Sequence, residues 1–170
     1  MTNVAKVYLG LGTNLGDRLK FLQFGIDSLA REPGQKVCRC SPVYETTPWG
    51  VTDQPLYLNA VILIESNSAP MELLKIVKRI EMNAGRSMQA KPWAERELDI
   101  DILVFEGVEM QTEDLRLPHG RLLERRFVLQ PLSDLVSGLI IPPAYISVQA
   151  ALRACGDTGE VRLINEALRI

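Results

Sequence analysis

Two aspartates one residue apart, Asp99-Ile100-Asp101, are the strongest chemical signal in this chain. The segment from Leu98 to Phe105 is otherwise apolar and reads as a buried strand. Alternation then places both carboxylates on one face and turns Ile100 and Ile102 to the other. Like charges side by side on an apolar strand repel. A hard divalent cation removes that cost and keeps positions open for phosphate oxygens, so magnesium with a nucleotide fits best. The bland alternative is a solvent-facing pair at a strand edge. Arg86, Lys91, Arg96, Arg121, Arg125 and Arg126 shift the balance, because they supply cations for a polyphosphate. Phosphoryl transfer rests on positioning and charge neutralisation, for which this set suffices without a nucleophilic side chain. Taken singly, Lys91 and Arg126 read as solvated surface charges.

Tyr57 and Asn59 share a strand face by the same two-residue rule, giving a flat ring beside an amide that both donates and accepts. A planar heterocycle would suit them, although an ordinary strand tyrosine and a turn-proximal asparagine are the commoner reading. His119, the single histidine, follows Pro118 in a turn-like stretch and is read equally as a surface residue or as a phosphate or proton-transfer group. Gly10, Gly12 and Gly16 miss the G-x-G-x-x-G spacing, since Leu15 holds the third position, and no G-x-x-x-x-G-K-[ST] loop occurs. On its own that glycine turn reads as structural.

The elements that must position these groups follow from periodicity. Val4 to Leu11 predicts a strand ending at the Gly10–Gly16 turn, and Asp17 can cap a helix whose buried stripe is Leu19, Leu22, Ile26 and Leu29, stopped by Pro33-Gly34. Lys36 to Glu45 and Leu56 to Glu65 predict two paired strands, with turn formers from Thr46 to Pro55 between them. Ser68 and Pro70 open a second helix with Leu73, Leu74, Val77 and Ile80 buried, and Gly85 follows as its stop. Periodicity vanishes from Arg86 to Glu95, which predicts a mobile loop before the aspartate strand. The order β-α-β-β-α-β predicts an α+β, ferredoxin-like core, an antiparallel sheet with helices on one face. Extra C-terminal elements follow: turns and a helical piece within Leu117–Leu135, and weak helical character over Val148–Ala154.

With 170 residues, 46% hydrophobic and 24% charged, the chain is expected to form a single domain over 1–170 rather than a disordered one. A formal charge of −2 argues against a sequence-independent nucleic-acid binder. Cys38, Cys40 and Cys155 are odd in number and lack metal spacing, no leader is apparent, and no apolar run approaches the ~20 residues of a membrane span. The expectation is a reduced, cytoplasmic protein that works as a monomer, with no nucleic-acid or membrane partner.

Read together, several strings resemble the 6-hydroxymethyl-7,8-dihydropterin pyrophosphokinase family across nearly the whole chain. They are Gly12-Thr13-Asn14-Leu15-Gly16, Val43-Tyr44-Glu45-Thr46, Gln54-Pro55-Leu56-Tyr57-Leu58-Asn59-Ala60, Gly85-Arg86, Trp93, Arg96-Glu97-Leu98-Asp99-Ile100-Asp101-Ile102-Leu103, Pro118-His119 and Arg125-Arg126-Phe127-Val128-Leu129. The R-x-x-D-x-D-I-L and Q-P-x-Y-L-N-A strings carry most of the specificity.

The resemblance implies transfer of pyrophosphate from ATP to the hydroxymethyl group of 6-hydroxymethyl-7,8-dihydropterin, releasing AMP, in folate synthesis. It implies that Asp99 and Asp101 bind two magnesium ions, and that Glu81, Arg86, Trp93, Arg96, His119 and Arg125 line the nucleotide and phosphate side, with Leu74 and Ile102 at the adenine. Arg86 and Arg96 join the two aspartates as the catalytic set. It further implies a pterin ring between Tyr57 and Phe127, edged by Asn59 and the Thr46-Thr47 region and closed by Trp49. Met88, Pro92, Glu95 and Gly120 depart from the family pattern, all on the ATP side or its loop, and predict retained chemistry with altered nucleotide affinity or slower loop closure. Two other classes stay open: a non-catalytic ferredoxin-like module that binds pterin and nucleotide, and an RNA-binding sheet, which would need more basic charge and aromatics.

Overall fold

The first strand runs further than its glycine-rich end predicts. A computed structural model describes residues 4–50, 53–85 and 96–170, and in it β1 spans Ala5–Thr13, carrying Gly10 and Gly12 inside the strand. The turn therefore begins only at Asn14, with Gly16 at φ +65°, where a left-handed conformation suits glycine.

α1 (Arg18–Arg31) starts where Asp17 accepts a hydrogen bond from Lys20 N at 3.3 Å. It buries Leu22, Ile26 and Leu29, each worth roughly 1.5–3 kcal/mol when removed from water. The segment expected as one strand over Lys36–Glu45 is two, β2 (Gln35–Cys40) and β3 (Tyr44–Thr46), both pairing with β4 (Tyr57–Ser66). The break has a covalent cause: Pro42 offers no N–H to the ladder. Ser41 bridges the gap, its N–H donating to Val61 O at 2.8 Å and its hydroxyl accepting from Val61 N at 2.9 Å.

α2 (Pro70–Asn83) begins with proline at its first position, and the Glu72 carboxylate accepts from Ala69 N at 3.0 Å. It buries Leu73, Val77, Ile80 and also Glu81, and Gly85 follows at φ +117°. β5 (Asp99–Phe105) comes next, then the short pair β6 (Met110–Gln111) and β7 (Arg116–Leu117), a 3-10 turn at Leu122–Glu124, α3 (Arg126–Val136), the pair β8 (Ile140–Ile141) and β9 (Ile146–Ser147), α4 (Val148–Ala154) and β10 (Val161–Leu163).

The main sheet runs β10-β3-β4-β1-β5, with β2 beside β3 on β4, and every pairing is antiparallel. This is the ferredoxin-like order inferred from the sequence. The sheet has two covered faces. Val7, Leu9 and Leu11 of β1 pack with Ile100 and Ile102 of β5 against α1 and α2. Tyr8, Val61 and Leu103 point the other way, into a second cluster with Leu129, Leu132 and Leu135 of α3 and Val148 and Ala151 of α4. The C-terminal elements thus cover the second face, and the candidate site lies at the end of that layer. No helix among the described residues is long and apolar enough to cross a membrane.

Candidate active site

Strand register sets the floor of the site. Gly12 of β1 stands opposite Asp99 of β5 on one side and Asn59 of β4 on the other; Gly10 likewise stands between Asp101 and Val61. Asp99 and Asp101 share the face of Leu103, while Ile100 and Ile102 are buried towards the helices, as the alternation requires. The central strand offers no side chain at these two rows, so a bare strip separates the carboxylates from the asparagine. With neighbouring strands 4.7–4.9 Å apart, Asp99 and Asn59 are held about 10 Å from one another.

Above this floor is a cavity of about 330 Å³. Tyr57, Asn59, Thr46 and Thr47 line one half, Asp99, Asp101, Arg96 and His119 the other, and Phe127, Arg125 and Trp49 close over it. Gly10, Gly12, Gln54, Leu103 and Val128 also line it. The Asn59 amide donates to Thr46 Oγ1 at 2.6 Å, which leaves its carbonyl oxygen beside Gly12. Arg125 lies with its guanidinium carbon 5.1 Å from the Trp49 ring centre and 5.7 Å from that of Phe127, cation-π contacts that join the rings of the roof. Arg121 adds a third contact, 5.4 Å from Trp49.

The acidic half is compensated from several sides. Arg96 Nη1 donates to Asp99 Oδ1 at 2.7 Å, Arg125 Nη1 reaches Asp101 Oδ2 at 3.5 Å, and His119 Nε2 lies 3.9 Å from the same oxygen. Burial and then the Asp99 charge push the Asp101 carboxyl above its ordinary value, against the opposing pull of His119 and Arg125. Burial lowers the His119 imidazole despite Asp101. Burial also lowers Arg125, whereas at Arg96 burial is outweighed by the Asp99 carboxylate and the net shift is upward. The donor set suits a hard divalent cation: two carboxylates on one face whose mutual repulsion a cation would relieve. Magnesium bound through few carboxylates keeps its other positions for water and phosphate.

Asn14 organises the rim without touching the acidic pair. Its Oδ1 accepts from Arg96 N at 2.8 Å, its own N–H donates to Arg96 O at 3.1 Å, and its Nδ2 donates to Gln54 Oε1 at 3.2 Å. Arg96 on the acidic side and Gln54 beside Tyr57 are therefore tied to one buried amide. The sequence reading assigns Asn14 and Gln54 no role and takes Gly10 and Gly12 as part of a structural turn, although Asn14, Gln54 and Gly12 lie in strings that carry the resemblance.

Three expected nucleotide-side residues lie off the cavity. Ile102 and Leu74 pack in the helix-side core. Glu81 is fully buried on α2; its Oε1 accepts from Ile100 N at 2.7 Å and Lys78 Nζ lies 3.0 Å from its Oε2, so it secures β5 from beneath. Arg86 and Trp93, with Lys91 and the departures Met88, Pro92 and Glu95, lie outside the described residues, as does the whole predicted loop from Arg86 to Glu95. Gly120, the fourth departure, is described: a Cβ there would come 3.1 Å from Arg116 Cδ.

Known proteins similar to this chain point to one family. Residues 8–137 match the family profile described as 7,8-dihydro-6-hydroxymethylpterin-pyrophosphokinase. A 2-amino-4-hydroxy-6-hydroxymethyldihydropteridine pyrophosphokinase of Methylorubrum extorquens is 41% identical over 138 residues, 81% of this chain and 87% of that protein. Its namesake in Pseudomonas aeruginosa is 35% identical over 160 residues, covering 94% and 98%. Among solved structures, the HPPK-DHPS of Plasmodium falciparum superimposes with a TM-score of 0.69 over 89% of this chain and 45% of that longer one; at 14% identity this speaks for the fold alone. Profile, relatives and fold agree, and the chain belongs to the 7,8-dihydro-6-hydroxymethylpterin-pyrophosphokinase family.

Proposed function

We propose that this chain transfers the pyrophosphoryl group of ATP to 6-hydroxymethyl-7,8-dihydropterin, giving AMP and the pterin diphosphate for folate synthesis. One observation carries the reading: the Asp99–Asp101 pair and the Tyr57–Asn59–Phe127 group line a single cavity. Family membership supplies the reaction, which uses ATP with magnesium.

In this reading the pterin stacks between Tyr57 and Phe127, Asn59, Thr46 and Thr47 meet its polar edge, and Trp49 closes the pocket. Asp99 and Asp101 would hold two magnesium ions, which when bound supply charge neutralisation to the triphosphate. Arg96, His119 and Arg125 orient the phosphates, with Arg86, Trp93 and Glu81 assigned to the same side and Leu74 and Ile102 to the adenine. The hydroxymethyl oxygen forms its bond to the β-phosphorus as the bond to the bridging oxygen of AMP breaks, and the hydroxyl proton passes to solvent. The residues accelerate this by alignment and by aiming cations at the developing charge.

A single monomeric domain over 1–170 in the cytoplasm completes the proposal. Both hydrophobic clusters share one sheet, and Cys38, Cys40 and Cys155 are all free thiols. Incubation with ATP, magnesium and the hydroxymethyl dihydropterin tests the reaction. AMP and pterin diphosphate are expected in equal amounts. ADP would mean a different transfer, and binding of both substrates without AMP would mean a non-catalytic module.

A further inference from the structure

The turn that precedes β10 ties two walls of the cavity together, and the proposed chemistry does not use it. α3 starts at Arg126, and its N-cap residue, Arg125, makes no side-chain capping hydrogen bond. The first N–H groups of a helix need acceptors from elsewhere. Asp157, 31 residues on, provides one: its Oδ2 accepts from Arg126 N at 3.0 Å, while its Oδ1 accepts from Gly159 N at 2.9 Å. Glu160 then exchanges two hydrogen bonds with Thr47, accepting from Thr47 N at 3.2 Å and donating to Thr47 Oγ1 at 3.1 Å. Val161 continues the ladder opposite Thr46. The turn is tight, because a Cβ on Gly159 would sit 3.1 Å from both Thr47 Oγ1 and Asp157 Oδ1.

Through this turn the start of α3, which carries Phe127, is joined to Thr46 and Thr47, and all three line the pocket assigned to the heterocycle. We propose that Asp157 is a positioning residue for the pterin half of the site: by capping α3 from the turn before β10, it fixes the separation of Phe127 from Thr46, Thr47 and the Tyr57–Asn59 face. This rests on the pterin reading above. Asp157 touches no substrate; it acts through Phe127 and Thr47. Its negative charge at the helix start adds a favourable dipole interaction, but the hydrogen bond is the part that sets geometry.

The test uses the full chain and three variants, Asp157→Ala, Asp157→Asn and Gly159→Ala, each measured for the KM of both substrates, kcat and thermal midpoint. Asp157→Ala is expected to raise the pterin KM about tenfold while the ATP KM stays within about twofold, and Asp157→Asn, which keeps one of the two acceptor oxygens, to fall between Asp157→Ala and the parent. Gly159→Ala disturbs the same turn without removing the carboxylate and is expected to follow Asp157→Ala, so it decides the matter if that variant does not fold. A lowered thermal midpoint with both KM values unchanged would overturn the proposal, as would equal rises in both with no rescue by Asp157→Asn. An unsubstituted chain that makes no AMP would remove the functional reading itself, and the positioning role with it.

Discussion

Asp99 and Asn59 face each other across a single glycine, Gly12, one from each neighbouring strand. The distance between the acidic and the amide halves of the site is thus a property of the sheet, set by two strand spacings. Neither half can drift without disturbing the β1 ladder.

The acidic half is the simplest to test. Asp99→Ala and Asp101→Ala are each expected to slow AMP release by about a hundredfold or more through lost charge stabilisation. Circular dichroism should show an intact fold, since neither carboxylate belongs to a hydrophobic cluster. Near-normal turnover at saturating magnesium would remove the metal assignment.

Gly12→Ala probes the bare strip. Its Cβ would stand 3.0 Å from Asn59 Oδ1, so the amide must move and strain its bond to Thr46. Gly12 has no positive φ, and the strand should tolerate alanine. The expected result is a pterin KM raised about tenfold with the thermal midpoint little changed, read by steady-state kinetics beside a melting curve.

Asn14→Ala removes the acceptor from Arg96 N and the donor to Gln54. Urea denaturation should show a loss of about 1–3 kcal/mol for the unpaired groups. Asn14→Asp keeps the acceptor for Arg96 and is expected to fall between the two.

Glu81→Ala leaves Ile100 N without its partner and should likewise cost about 1–3 kcal/mol in urea denaturation. Glu81→Gln keeps an oxygen for that N–H and is expected to lose less. If Glu81→Gln were as damaging as alanine, the Lys78 ion pair rather than the strand contact would be the stabilising part.

Glu45 gives a pH prediction. Arg162 and then Arg18 hold its carboxyl below the ordinary glutamate value, with Arg18 Nη2 at 2.8 Å and Arg162 bonded to the other oxygen. A depressed folded-state value means stability that is complete above the unfolded value, about 4.3, and is lost as pH falls through the folded one. The difference in thermal midpoint between the parent and Glu45→Gln should therefore be full at pH 7 and shrink below about pH 4.

The parts legible in the sequence were those set by local period. The alternation at Asp99–Asp101, the stripe from Leu22 to Leu29 and the order of elements needed no long-range information. The break at Pro42 was also written locally, but the strand character of Lys36–Glu45 outweighed one missing N–H. Gly10 and Gly12 misled because glycine marks turns and empty strand positions alike, and only the register against Asp99 and Asn59 separates the two. Glu81 sits seven residues after Leu74, on the buried stripe of α2, so a fully buried carboxylate was readable there; its partner on β5 was not. Asn14 and Asp157 act on segments far away in the chain, a relation that no single-sequence periodicity carries.

The edge position of β5 has a further consequence. An exposed edge strand normally invites another chain to add to it, and proteins blunt such edges with buried charge or covering loops. Here the Glu81 carboxylate takes Ile100 N and the backbone of His119 donates to Leu103 O at 2.8 Å, so the strand bearing the aspartates is stoppered at two points. The contacts that steady the acidic pair therefore also guard against intermolecular sheet growth, and losing them would show as aggregation as well as inactivity.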